Sequence, residues 1–110
     1  MDTFAYSLVT ESFNVVDGQS FGGLAGAMAA LRAIAASGDA EILITDAIGD
    51  GRVQALAAEA DVPVRVLDAT GLDYDAQKNR AAAAARGRYL VFLDGDCRPL
   101  REDWLETLTA

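Results

Sequence analysis

The chain has 110 residues, 52% of them hydrophobic, and a formal net charge of −8, which fits one small domain, residues 1–110, able to bury a single core without staples. The negative balance argues against a broad nucleic-acid surface. The lack of histidine excludes Ser-His-Asp and Cys-His catalysis and imidazole zinc sites, and the single cysteine, Cys97, excludes an internal disulfide. No apolar run reaches the ~20 residues of a membrane-spanning helix. The N-terminus also lacks the basic start and apolar stretch of a signal peptide. A lone cysteine suits a reducing compartment, so a cytoplasmic location is expected.

Taken in chain order, the apolar pattern alternates between two periods. Phe4 to Thr10 reads as a strand, rich in aromatic and aliphatic side chains. Ser20 is placed to cap a helix from Phe21 to Ser37, in which Phe21, Leu24, Met28, Leu31 and Ala35 recur at helical spacing and which Gly38-Asp39 ends. Glu41 to Thr45 holds the continuous run Ile42-Leu43-Ile44, the signature of a parallel strand buried on both faces. A second helix follows from Asp50 to Ala60, with Val53, Leu56, Ala57 and Ala60 on one side, and then a strand from Val62 to Leu67. Asp73 is placed to cap a third helix, closed by Gly87, whose residues Tyr74, Lys78, Ala81, Ala82 and Ala85 share a face. Tyr89 to Leu93 is the fourth strand, and Arg101 to Thr109 a fourth helix with Trp104, Leu105 and Leu108 along one side. Strand and helix thus alternate four times. This predicts an α/β domain, a three-layer sandwich with a mainly parallel sheet and right-handed crossovers.

Polar residues cluster where strands end: Thr10-Glu11-Ser12-Phe13-Asn14 after the first, Thr45-Asp46 after the second and Asp94-Gly95-Asp96 after the fourth. Ligands of open parallel sheets bind outside the carboxyl ends of the strands. Asp50 and Asp73 read as helix caps. For Asp46, a loop-capping role and a ligand role both remain open. Asp94-Gly95-Asp96 is the sharper signal. Two carboxylates this close repel unless a cation sits with them. The glycine leaves room for a ligand, and hard divalent ions take oxygen ligands shared with substrate phosphates.

With these residues in view, the sequence resembles a family 2 glycosyltransferase of inverting type with the GT-A fold. The likeness is carried by Lys78-Asn79-Arg80-Ala81, by Ala85-Arg86-Gly87-Arg88-Tyr89-Leu90-Val91-Phe92-Leu93-Asp94-Gly95-Asp96, and by Pro99-Leu100-Arg101-Glu102-Asp103-Trp104-Leu105-Glu106. The opening Leu8-Val9-Thr10-Glu11-Ser12-Phe13-Asn14 and the strand Glu41-Ile42-Leu43-Ile44-Thr45-Asp46 match in the same order. The resemblance implies a nucleotide-diphosphate sugar as ligand. It sets Phe13 near the nucleobase, Glu11 and Ser12 in the same pocket, Asp46 on the base or ribose and Lys78 at the diphosphate. It gives Asp94 to the ribose or metal, and Asp96 to Mn²⁺ or Mg²⁺. Core packing is the plain alternative for Phe13, and a solvated helix face for Lys78.

The chain departs from the family pattern in places. Glu11 stands where proline is common. Asp46-Ala47-Ile48-Gly49-Asp50 keeps one of two adjacent aspartates, and Ala81 replaces a glycine. The resemblance also implies a further acceptor half carrying the general base. Glu102, Asp103 and Glu106 read instead as the exposed face of the last helix, so the chain is expected to be the nucleotide-binding half. Its apolar C-terminal stripe is expected to meet missing sequence or a second copy.

Three other readings of the sequence stand beside this one. A non-catalytic nucleotide-binding or assembly domain of the same fold is the main alternative. A phosphoacceptor receiver domain needs an acidic pair after the first strand and a lysine after a fifth. A haloacid-dehalogenase-type phosphatase carries its Asp-x-Asp after the first strand. Neither of the last two patterns is present.

Overall fold

A computed structural model of the chain describes residues 4–12, 39–60 and 63–92. Its elements are β1 (Phe4–Glu11), β2 (Ala40–Asp46), α1 (Arg52–Glu59), β3 (Val64–Asp68), α2 (Tyr74–Ala84) and β4 (Gly87–Phe92). The expected helices over Phe21–Ser37 and Arg101–Thr109, and the residues Phe13, Asn14, Leu93, Asp94 and Asp96, fall outside the described residues. Among the described residues no helix is long and apolar enough to cross a membrane.

The four strands form one sheet in the order β3-β2-β1-β4, and every pairing is parallel. β2 lies inside the sheet and is buried along its whole length, as its unbroken apolar run requires. Its alternate residues serve two cores. Ile42 and Ile44 join Leu8 beneath Val53 and Leu56 of α1 on one face, while Leu43 joins Val9 beneath Ala81 of α2 on the other. Burying each of these large aliphatic side chains contributes roughly 2 kcal/mol. The helices therefore cover opposite faces, making the three-layer α/β sandwich of the GT-A type expected from the sequence.

Strand order reverses at β1. The connections β1-to-β2 and β2-to-β3 step one way, and the return from β3 to β4 crosses to the far side of β1. This is the switch point at which open α/β sheets bind ligands.

Several boundaries differ from the sequence expectation. β1 and β2 each run one residue further, so Glu11 and Asp46 are strand-end residues rather than loop residues. α1 is capped by Gly51, not by Asp50. At φ 91° Gly51 occupies the left-handed region, which a β-carbon disfavours. Asp50 still acts on the same turn: its carboxylate accepts from the Arg52 backbone at 3.1 Å and from the Arg52 guanidinium at 2.6 Å. These bonds, the backbone one foremost, hold its acid group below the usual aspartate value. Asp73 caps α2 as expected, accepting from the Ala76 amide at 2.8 Å. Of the stripe expected on α2, Ala81 is buried and Ala85 packs against its cluster, whereas Ala82 and Tyr74 are exposed. Gly87 does not close α2. The helix ends at Ala84 with Ala85 as its cap, and Gly87 is the first residue of β4.

A buried polar cluster ties the N-terminal side of the sheet to the end of α2. Glu41 is 1% exposed. Its Oε1 accepts from Arg65 Nε and Nη2 at 3.1 and 2.9 Å, and its Oε2 from Ser7 Oγ and the Arg86 amide, both at 2.6 Å. Four donors thus fill the acceptor capacity of one carboxylate. Arg65 Nη2 also donates to the Ala84 carbonyl at 2.6 Å, satisfying a helix-end oxygen. Burial works to raise the Glu41 acid group. The Ser7 hydroxyl, the Arg86 amide and the Arg65 guanidinium outweigh it and hold the group below the ordinary value.

Candidate nucleotide site

The carboxyl edge of the sheet gathers side chains from β1, β2, α2 and the loop after β2. Asp46 ends β2 with its side chain on the α1 face, 3% exposed. Its Oδ1 accepts from the Ile48 and Gly49 amides, each at 3.0 Å, and its Oδ2 from Gln54 Nε2 at 3.2 Å. Ser12 Oγ accepts from the Ala47 amide at 3.1 Å. Three successive loop amides are therefore held by two side chains, and Ser12 clips the end of β1 to the loop that follows β2. In this arrangement Asp46 and Ser12 build the wall of the site.

On the α2 face, Thr45 Oγ donates to Gln77 Oε1 at 3.0 Å, and Gln77 Nε2 donates to the Leu72 carbonyl at 3.0 Å. A second approach, Thr45 Oγ to the Thr10 carbonyl, is 3.5 Å. The single hydroxyl proton favours the shorter bond. Gln77 thus locks the first turn of α2 and the loop before it against the end of β2. One turn of helix sets Lys78 over Tyr74, with Nζ 4.1 Å from the centre of the Tyr74 ring and 5.5 Å from that of Phe92. Both distances lie in the range of cation–π attraction.

Two adjoining clefts open here. The wider, of about 350 Å³, is lined by Glu11, Ser12, Ala47, Ile48, Tyr74 and Gln77. That volume suits a small-molecule ligand. The narrower is lined by Lys78, Thr45 and Phe92, and shares Glu11, Tyr74 and Gln77 with the first. Of the residues expected from the sequence, Glu11, Ser12 and Lys78 meet at these clefts, and Asp46 stands behind the wall. Phe13, Asp94 and Asp96 lie outside the described residues, although β4 ends at Phe92, just before Asp94 in the sequence. Among the described residues no three acidic or thiol groups converge as a metal site.

Tyr74, Gln77 and Ile48 also line the wider cleft, and no motif in the sequence marks them. A usable signal was present: Tyr74, Gln77 and Lys78 stand at i, i+3 and i+4 on the first turns of a helix following a parallel strand, which brings them to one edge.

The chain is thus a doubly wound α/β domain with a parallel sheet and a cleft at its carboxyl edge, beside the point where strand order reverses. The family model described as glycosyl transferase family 2 matches residues 19–110, and the chain belongs to that family. No curated protein matches it.

Proposed function

We propose that the chain is the donor-binding domain of a glycosyltransferase and that a nucleotide-diphosphate sugar binds at the wider cleft. That cleft takes the nucleoside, and the diphosphate lies outside it, toward Lys78. The observation that carries this reading is the wide cleft at the switch point, bounded by Glu11, the Ala47-Ile48 loop and the first turn of α2.

Each residue then has a task. Ser12 and Asp46 hold the loop that forms one wall, and Asp46 acts on the ligand by shaping that loop. Phe13, next in sequence to Ser12, is the residue that the family likeness assigns to the base. Tyr74 and Gln77 form the opposite wall. Lys78 supplies positive charge to the diphosphate, its position set by the Tyr74 and Phe92 rings. A chain of net charge −8 needs such offsets before it accepts a polyanion.

Glycosyltransferases of this family commonly use a divalent metal. The carboxylate pair Asp94 and Asp96 is an oxygen donor set suited to Mn²⁺ or Mg²⁺, with Asp96 as the metal ligand and Asp94 shared between ribose and metal. When bound, the ion supplies stabilisation of negative charge on the departing diphosphate. The sugar is passed to an acceptor hydroxyl.

Replacing Asp96 with alanine is expected to weaken Mn²⁺-dependent binding of UDP or GDP by about tenfold or more, read by calorimetric titration with the melting temperature as a fold control. Undiminished metal dependence in that variant would remove Asp96 from the role.

A further inference from the structure

We infer that Thr45 and Gln77 form a positioning pair for the ligand. Thr45, buried beyond the ligand's reach, sets nucleotide affinity by holding Gln77, and through it the first turn of α2, at the edge of the wide cleft. The inference rests on that cleft being the nucleoside pocket.

α2 is anchored unevenly. Its later turns are held from several sides. Ala81 is buried with Val9 and Leu43. Arg80 Nε donates to the Asp68 carbonyl at 2.7 Å, and Arg65 Nη2 to the Ala84 carbonyl at 2.6 Å. The first turn has no such seat. No residue of α2 other than Ala81 is buried. The narrow cleft lies between this turn and the sheet, lined by Val9, Thr45 and Phe92 of the strands and by Gln77 and Lys78 of the helix. Apolar packing therefore does not fix the turn that carries Tyr74 and Gln77 to the wide cleft.

A polar link takes its place. Gln77 Oε1 accepts from Thr45 Oγ at 3.0 Å, and Gln77 Nε2 donates to the Leu72 carbonyl at 3.0 Å. One planar amide thus joins the end of β2, the first turn of α2 and the loop before it. A flip of that amide would set Oε1 against the Leu72 carbonyl, two acceptors face to face, so the two bonds select one orientation. Thr45 is 2% exposed and is not part of the wide cleft's lining. Its hydroxyl acts on a ligand there through Gln77. Valine at this position has a similar shape but lacks the proton that Gln77 accepts, whereas serine keeps it.

The test is a titration of the intact chain with GDP and with UDP, each in Mn²⁺, at a temperature well below the melting point. Thr45→Val is expected to weaken binding about fivefold, the worth of one hydrogen bond, and Thr45→Ser to bind within about twofold of the unaltered chain. In a Gln77→Leu background the link is already gone, so adding Thr45→Val is expected to change affinity by less than about twofold.

A merely structural role for Thr45 would lower the melting temperature of Thr45→Val and leave its affinity unchanged, which would overturn the inference. Binding by Thr45→Ser as weak as that by Thr45→Val would also overturn it. So would a loss from Thr45→Val that persists undiminished in the Gln77→Leu background, since Thr45 would then act by another route. Each of these results leaves the nucleotide site in place. Failure of the unaltered chain to bind either nucleotide would overturn the functional reading beneath the inference.

Discussion

Glu41→Gln is expected to lower stability by about 3 kcal/mol, because it leaves the Arg65 guanidinium without its counter-charge and turns an amide donor toward the Ser7 hydroxyl or the Arg86 amide. For a domain of this size that loss corresponds to a melting temperature lower by about 15 °C, measured by thermal denaturation followed by circular dichroism. The pair is mutual, so replacing both Glu41 and Arg65 with methionine should cost less than the single change.

The same group sets a pH dependence. The folded-state acid group of Glu41 lies below its ordinary value of 4.5. Folding therefore gains from its ionisation at every pH above 4.5. The gain declines as pH falls through the lowered folded value, since the unfolded chain there binds more protons. The melting temperature should be flat just above pH 5 with respect to this group and fall below it, and Glu41→Gln should fall less steeply. Asp50 and Asp68 are also held below their usual values, first by the backbone amides of Arg52 and Thr70, but both lie in solvent and should add little.

Gly87→Ala carries the second large effect. A β-carbon at Gly87 would stand 2.5 Å from the Ser7 amide nitrogen, from Ser7 Oγ and from the Tyr6 carbonyl carbon. Two of these are backbone atoms of β1, so no side-chain rotation relieves the clash. β4 must move away from β1, breaking the 2.7 Å bond from the Gly87 amide to Ser7 Oγ. Overpacking of this kind costs about 1–3 kcal/mol. The lost bond to a buried hydroxyl that also serves Glu41 adds to it, so roughly 3 kcal/mol is expected. Chemical denaturation would measure this, and unchanged stability would mean that the strands are not so closely apposed.

Both predictions concern features that sequence pattern does not reveal, and the reason is range. The apolar run Ile42-Leu43-Ile44 announces a strand buried on both faces because the information lies in adjacent letters. Asp73 announces a cap because its partner, Ala76, is three residues away. Glu41 sits at the start of that same apolar run, yet its partners lie 24, 34 and 45 positions distant. No local period links them. Gly87 reads in the sequence as a helix stop, a common duty for a glycine just past an apolar stripe, but the helix ends at Ala84 and Gly87 opens β4. Its actual constraint comes from β1, eighty positions away.

The candidate site divides the same way. Its place at the carboxyl edge follows from alternating strands and helices, and Glu11, Ser12, Asp46 and Lys78 draw attention in the sequence because each lies at a strand end or in a motif. The division of labour among them was not legible. That Asp46 and Ser12 restrain loop amides, and that Gln77 braces the helix against Thr45, depends on side-chain direction at the strand ends.

A nucleoside diphosphate bound in the cleft between β1, the loop after β2 and the first turn of α2 would shield the backbone amides around it. Amide hydrogen exchange in Mn²⁺, with and without GDP or UDP, reads this residue by residue. Slowed exchange is expected over Glu11–Ser12, Ala47–Gly49 and Tyr74–Lys78, with Ala40–Glu41 and Arg86–Gly87 at the opposite edge unchanged. Binding accompanied by protection only at that opposite edge, or nowhere along these three segments, would contradict a ligand in this cleft.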